Sequence, residues 1–371
     1  MTKLIDRVIS QLTNSIESKL DKEKQTNVDV GKPKPLVIDV HDVASRFALA
    51  LTFTLMYKQD DIIDFNKPTE WWTTVIHEAA VAIEHFAVVL SSMSPLVNKL
   101  FRQAVDLTPF GKVSGKIRNF VLQAIDLNEA ARIKLRQRLS ATGGYSFDRG
   151  TSLDRRLTDT LIDAFFEKRI SHAELIGSAS FMVTAGFVTT SDAITCLLWQ
   201  LARNRSVQDR LRQALVEEGM DADYLTWCLL ESIRWHPPVP LGVGRILGED
   251  VQTSSGLVVP KGSFVMPTIY SVHHDPSIWP EPERFNPDRW QNRPKFHPAA
   301  FLGFGLGPRN CIGSKLAMQE MKMLVLELLL KYRFDKCAET TDDFSFRAPG
   351  MIWTVLDNRI KINVSRLQRD P

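Results

Sequence analysis

Between Phe301 and Gly313 the chain reads FLGFGLGPRNCIG, and few folds can accommodate such a stretch. It carries four glycines, a proline, an arginine and a cysteine, and a helical pattern begins directly behind it at Ser314. Gly305, Gly307 and Gly313 let the backbone turn tightly and come close to a flat partner, because no Cβ stands in the way. A thiolate is a strong ligand for a metal ion. A helix N-terminus favours the thiolate form through its dipole and its unpaired N–H groups. Cys311 stands three residues before that helix. Arg309 can neutralise an acidic group on the partner, and Phe304 can shield the sulfur from water.

The rest of the chain limits what surrounds this loop. Of 371 residues, 44% are hydrophobic and 24% charged, and the formal net charge is +3, values ordinary for a globular chain and too weakly basic to call for nucleic acid. Cys196, Cys228, Cys311 and Cys337 show no CxxC spacing, so neither a structural zinc site nor a dense disulfide framework is expected, and a reducing compartment is the default. The longest apolar runs, such as Phe47 to Met56, reach about half of the roughly 20 residues a membrane span needs. No apolar signal peptide follows Met1.

The first half reads as successive helices. Leu4, Val8, Ile9, Leu12, Ile16 and Leu20 recur at helical spacing. Gly31 to Pro35 breaks that helix, Asp39 to Met56 resumes one, and Trp71 to Leu100 gives another. Gly143 to Ser152 reads as a surface loop. A long apolar helix spans about Ser171 to Arg203. After Trp235 the proline run Pro237, Pro238, Pro240 stops a helix. The following β-branched stretch, with a turn at Ser254 to Gly256, predicts short strands. Pro276, Pro280, Pro282 and Pro287 mark an irregular meander. The final long helix runs from Ser314 to about Tyr332, and Met351 to Val364 alternates like a hairpin. The fold class is mainly α with a minor β region. The chain is read as one domain over 1–371: helix-rich 1–236, β and meander 237–300, cysteine loop and helix 301–333, and a β hairpin over 334–371.

Taken together, the loop's features describe a haem iron held by a cysteine thiolate, which pushes electron density toward bound O₂. The string Phe304 to Gly313, FGLGPRNCIG, resembles the haem-binding loop of the cytochrome P-450 family. The resemblance covers essentially the whole chain. It implies haem b with Cys311 as axial thiolate, and Arg309 and Arg245 on the propionates. Glu231 and Arg234, on one helix face, pair with Arg284 of the meander. In FMVTAGFVTTSDA, Ala185 and Gly186 match the small-residue pair of the oxygen groove, and Thr189 matches the proton-relay hydroxyl. The acid that normally precedes that threonine is replaced by Val188, which cannot supply a proton. Phe181, Ala185 and Val188 are expected to face substrate.

The resemblance further implies NADPH- and O₂-dependent monooxygenation of a small apolar lipid, steroid or xenobiotic. A diflavin NADPH-cytochrome reductase would dock near Arg309, Lys315 and Lys322, or these are ordinary solvated charges. Val188 keeps a rival open, a haem-thiolate isomerase or dehydratase of a hydroperoxide or endoperoxide. A catalytically incompetent haem-binding product is the other alternative. Met1 aligns with the family's fourth major helix, so roughly the N-terminal quarter of the fold, with the anchor, is expected to be missing. The location implied is the endoplasmic reticulum membrane surface, or solution without that anchor.

Overall fold

A computed structural model of the chain describes residues 2–26, 35–57, 64–66, 157–291, 297–342, 346–347, 354–355 and 360–367. The helix expected over Trp71 to Leu100 and the loop over Gly143 to Ser152 lie outside these residues. Helix α1 (Thr2–Thr26) follows its apolar period closely: Ile5, Val8, Ile9, Leu12, Ile16 and Leu20 are buried. A short strand β1 (Leu36–Asp39) leads directly into α2 (Val40–Tyr57). The apolar period concealed β1, because four residues are too few to separate a strand from the start of a buried helix.

The long helix is α4 (His172–Arg203), preceded by α3 (Leu157–Phe166). Ser171 starts α4 with a reciprocal cap: its hydroxyl accepts from the Glu174 N–H, and Glu174 accepts from the Ser171 N–H. α4 is the one described helix long and apolar enough to cross a membrane. Some 71% of its apolar window is buried inside the fold. It packs along α2 and reaches α5 (Arg205–Glu218) and α6 (Asp223–Trp235). After the short helix α7 (Ile269–His273), the final helix, α8 (Ser314–Lys331), ends one residue before the predicted boundary, because Tyr332 already opens strand β6 (Tyr332–Lys336).

The β region forms as two small antiparallel ribbons. β2 (Arg245–Ile246) pairs with β5 (Phe264–Val265), and β3 (Val251–Gln252) pairs with β4 (Val258–Val259) around the Ser254–Gly256 turn. At the C-terminus, β7 (Phe346–Arg347) pairs with β8 (Thr354–Val355). Of the hairpin expected over Met351 to Val364, residues 351–353 and 356–359 lie outside the described residues, and the described remainder pairs elsewhere. β9 (Lys361–Arg366) instead lies between β1 and β6, with Ile38 opposite Ile362 and Phe334 opposite Val364. Alternation identified β9 as a half-buried strand but could not name its partners, which lie more than 320 residues away for β1 and about 30 for β6.

One buried amide ties α5 to this sheet. Gln208 is fully buried, and its Nε2 donates to Leu201 and Phe334 carbonyls at 2.9 and 2.7 Å. Its Oε1 accepts the Phe334 N–H at 3.1 Å. Replacing Gln208 by Leu leaves those three backbone groups unpaired in the interior. The expected loss is about 3 kcal/mol or more, since each of the three orphaned buried groups costs roughly 1–3 kcal/mol. Denaturant unfolding of the variant checks this, and an unchanged midpoint refutes it.

Candidate functional site

The cysteine loop is supported from below by α6 and the meander. Glu231 and Arg234 are fully buried and three residues apart on α6, so their side chains share a face. Arg234 Nε and Nη2 donate to the two Glu231 oxygens at 2.9 and 3.0 Å. A second guanidinium completes the centre: Arg289 Nε donates to Glu231 Oε1 at 2.9 Å. Glu231 also accepts the Asn286 N–H at 2.9 Å and the Trp290 indole N–H at 3.0 Å.

This corrects the expected partner. Arg284 lies on the surface, 67% exposed, and reaches Glu281 at 3.4 Å. Only its backbone carbonyl joins the centre, accepting from Arg289 at 3.2 Å. The sequence PERFNPDRW offers two arginines five residues apart. The signal that separates them is the 3₁₀ turn Pro287–Trp290, capped by the Asn286 side chain, which turns Arg289 and Trp290 inward together. Both inward arginines then satisfy meander carbonyls. Arg234 donates to His273 and Pro282, and Arg289 to Pro280 and Glu281.

Above this centre an aromatic cluster carries the start of the loop. Trp279 and Trp290 pack 5.4 Å apart, Phe301 stands edge-on to Trp290, and His273 stacks flat on Phe301 at 5.2 Å. The His273 Nε2 accepts the Leu302 N–H at 2.8 Å, so its proton sits on Nδ1. Burial, and then the Arg234 charge, push the His273 pKa down to about 3. Sequence reading missed His273, Trp279 and Arg289.

The loop itself is half-buried to Phe304 and exposed from Gly305 through Ile312. Gly305 and Gly307 have φ of +69° and +72°, where a side chain would be strained, while Gly313, at −85°, needs no such freedom. The Cys311 N–H donates to the Phe304 carbonyl at 2.7 Å, folding the loop back on itself. Cys311 is exposed, its neighbour Ile312 is 97% exposed, and Leu306, earlier in the same loop, is 50% exposed. Phe304 packs on the main core. Arg309 is exposed in a 3₁₀ turn, and Lys315 is exposed on the first turn of α8. Lys322 donates to the Met220 carbonyl, so it braces α8 against a neighbouring turn. Arg245 is exposed and curls onto its own chain, donating to the Val243 and Gly244 carbonyls.

On α4 the expected oxygen-site residues fall into two groups. Phe181 is 71% exposed, Gly186 is exposed, and Ala185 and Thr189 are half-buried. The Thr189 hydroxyl donates to the Ala185 carbonyl at 2.9 Å. Val188, expected beside them, is fully buried in the core.

Comparison with known proteins fits this arrangement. The Cytochrome P450 family model matches residues 1–362. The chain belongs to the cytochrome P450 family. It is 32% identical to Cytochrome P450 4F5 of Rattus norvegicus over 312 residues, covering 78% of this chain and 57% of that protein. It is 30% identical to Leukotriene-B4 omega-hydroxylase 3 of Mus musculus over 356 residues, covering 88% and 66%. A shorter match, 34% over 199 residues, joins it to Cytochrome P450 3A40 of Oryzias latipes. The chain thus spans less than two thirds of the length of these P450 relatives.

Two predictions follow the geometry of this P450 centre. Arg289→Ala leaves Glu231 with Arg234 as its guanidinium partner and takes the donor from the Pro280 and Glu281 carbonyls, and it is expected to cost about 2–4 kcal/mol. Arg284→Ala should leave thermal unfolding within error. A reversed order in calorimetry would return the role to Arg284. His273 is neutral when folded and takes a proton near pH 6.5 when unfolded. Its stabilisation is therefore complete above about pH 6.5 and declines as pH falls toward about 3. His273→Gln should flatten this acid dependence in pH-stepped denaturation, and an unchanged slope contradicts the assignment.

Proposed function

We propose that this chain is a haem-thiolate monooxygenase that inserts one atom of O₂ into a small apolar substrate of the lipid, steroid or xenobiotic class. The observation that carries the reading is Cys311, held outward by a glycine-formed loop at the mouth of α8. The residues fit the group. A loop that exposes a sulfur together with Ile312 and Leu306 is the kind of surface that a flat apolar macrocycle covers.

Haem, when bound, would supply O₂ activation through the electron push of its thiolate ligand. The protein's part is to hold and protect. Cys311 would ligate the iron from the loop, and Phe304 would shield the sulfur. Gly305 and Gly313 would leave room for the ring. Arg309 and Arg245 would swing to the propionates, which for Arg245 means releasing two backbone carbonyls. Ala185 and Gly186 would leave space for O₂, and Thr189 would bind it by hydrogen bond. The balanced reaction takes substrate RH, O₂, two electrons and two protons to ROH and water. The electrons come from NADPH through a diflavin reductase, with Arg309 and Lys315 on the docking face. By the same resemblance the protein works at the endoplasmic reticulum membrane surface.

Val188 supports a second reading. Being aliphatic and buried, it gives the site no acid at the usual position, which suits the isomerisation of a substrate that arrives already peroxidised. Two measurements decide. The dithionite-reduced, CO-treated spectrum should show a thiolate-ligated haem band that Cys311→Ser abolishes. A spectrum indifferent to that change overturns the haem assignment. Product formation that depends on NADPH and O₂ supports the monooxygenase, and turnover of hydroperoxides without NADPH replaces it by the isomerase.

A further inference from the structure

α4 carries two carboxylates along its length, Glu174 at its first turn and Asp192 beyond its midpoint. Glu174 is occupied in the N-cap. Asp192 stands three residues after Thr189 and seven after Ala185, and these spacings return to one helix face. That face is open along Glu174, Ser178 and Phe181, half-open at Ala185 and Thr189, and fully covered at Asp192. Asp192 is the point where the exposed stripe enters the interior.

Its surroundings are unusual for a core. The carboxylate is 1% exposed, and neither oxygen has a hydrogen-bond partner. The titratable group facing it is His41 on α2, whose Nε2 lies 3.6 Å from Asp192 Oδ1. His41 retains 20% of its side-chain exposure, so it touches both the carboxylate and the solvent. Ser45, one turn along α2 from His41, adds a buried hydroxyl without a partner. On α4 the next titratable group is Cys196, also buried and too weak an acid to compete, with its thiol pushed up to about 12 by desolvation. Desolvation raises the Asp192 pKa as well, against the pull of His41, so the carboxyl retains its proton more readily than an exposed one.

We propose that Asp192 and His41 form a proton relay that feeds Thr189, replacing the acid that Val188 cannot provide. This rests on the monooxygenase reading. Residues three apart on a helix have Cβ atoms about 5–6 Å apart, a span that one bridging water closes. The Asp192 carboxyl gives its proton toward the Thr189 oxygen. It is recharged by His41, and His41 by solvent. The proton leaves Thr189 for the outer oxygen of the O₂ being reduced, and no electrons pass through these side chains. Asp192 and His41 are positioning residues in this scheme, acting through Thr189.

The test needs no substrate, because O₂ itself is the probe. Haem-loaded protein with NADPH and a diflavin reductase reduces O₂ either to peroxide, with two electrons and two protons, or to water, with four of each. The relay favours water. Asp192→Asn, close in shape, should slow water formation about 100-fold, as expected for loss of a general acid, and divert O₂ to peroxide. Asp192→Glu should recover part of it, and His41→Gln should lose it with the haem spectrum intact. A second readout is independent of turnover. The infrared spectrum of the resting protein, followed from about pH 5 to 8, should contain a protonated carboxyl band that disappears in Asp192→Asn, because burial raises the Asp192 pKa. Glu320, whose carboxyl is pushed up to about 8 by burial, adds a band of its own that cancels in this difference. A water-to-peroxide ratio unmoved by Asp192→Asn, or no Asp192 band at any pH between about 5 and 8, overturns the relay alone. A wild-type chain without a thiolate–haem spectrum overturns the monooxygenase reading and the relay with it.

Discussion

The meander between Pro276 and Trp290 has almost no regular hydrogen bonding of its own, yet it underlies the cysteine loop. What gives it a single shape is Glu231. One buried carboxylate balances two buried guanidiniums, and their remaining N–H groups bind carbonyls at His273, Pro280, Glu281 and Pro282. Such a cluster is expensive to desolvate and earns its place by specificity more than by stability. Remove the carboxylate and two cations repel each other in the interior. Remove either cation and several carbonyls lose their donors. The loop bearing Cys311 is thus aimed by a charge centre that is invisible from the loop's own sequence.

A second organising element is α4, whose surroundings change along its length. Its N-terminal half keeps one stripe open, and from Thr190 to Leu201 every residue is buried. Under the proposed function the chemistry would sit at the transition. Thr189 lies on the last half-open turn and Asp192 on the next, so a hydroxyl with access to small molecules and a carboxyl screened from water stand within one turn. Catalytic groups that must bind a gas on one side and protons on the other benefit from such a boundary, where the dielectric changes within a few ångströms.

Much of this was legible in the residues. The long helices were, because their apolar period is set by burial on one side, as in Val8, Leu12 and Ile16. The cysteine loop was, because positive φ at Gly305 and Gly307 leaves few other residue choices. What sequence reading could not do was choose between chemically equal candidates. Arg284 and Arg289 sit in one short motif, and only the 3₁₀ turn decides which of them points inward. Val188 and Thr189 are adjacent on α4, and a 100° step separates a core side chain from a half-open one. His273 gave no signal at all, since a histidine that serves as a neutral acceptor looks like any other. β1 was lost for a similar reason: its partner is not nearby in the chain.

That pairing bears on how the molecule is made. β9 is the central strand of its sheet, and it is synthesised about 320 residues after β1. At typical elongation rates of about 5–20 residues per second, β1 waits roughly 15–60 s for its neighbour. During that interval Leu36 and Ile38 are apolar side chains on an unpaired edge. An unpaired apolar edge is a template for pairing with other chains, so β1 is exposed to misassembly until β9 is made.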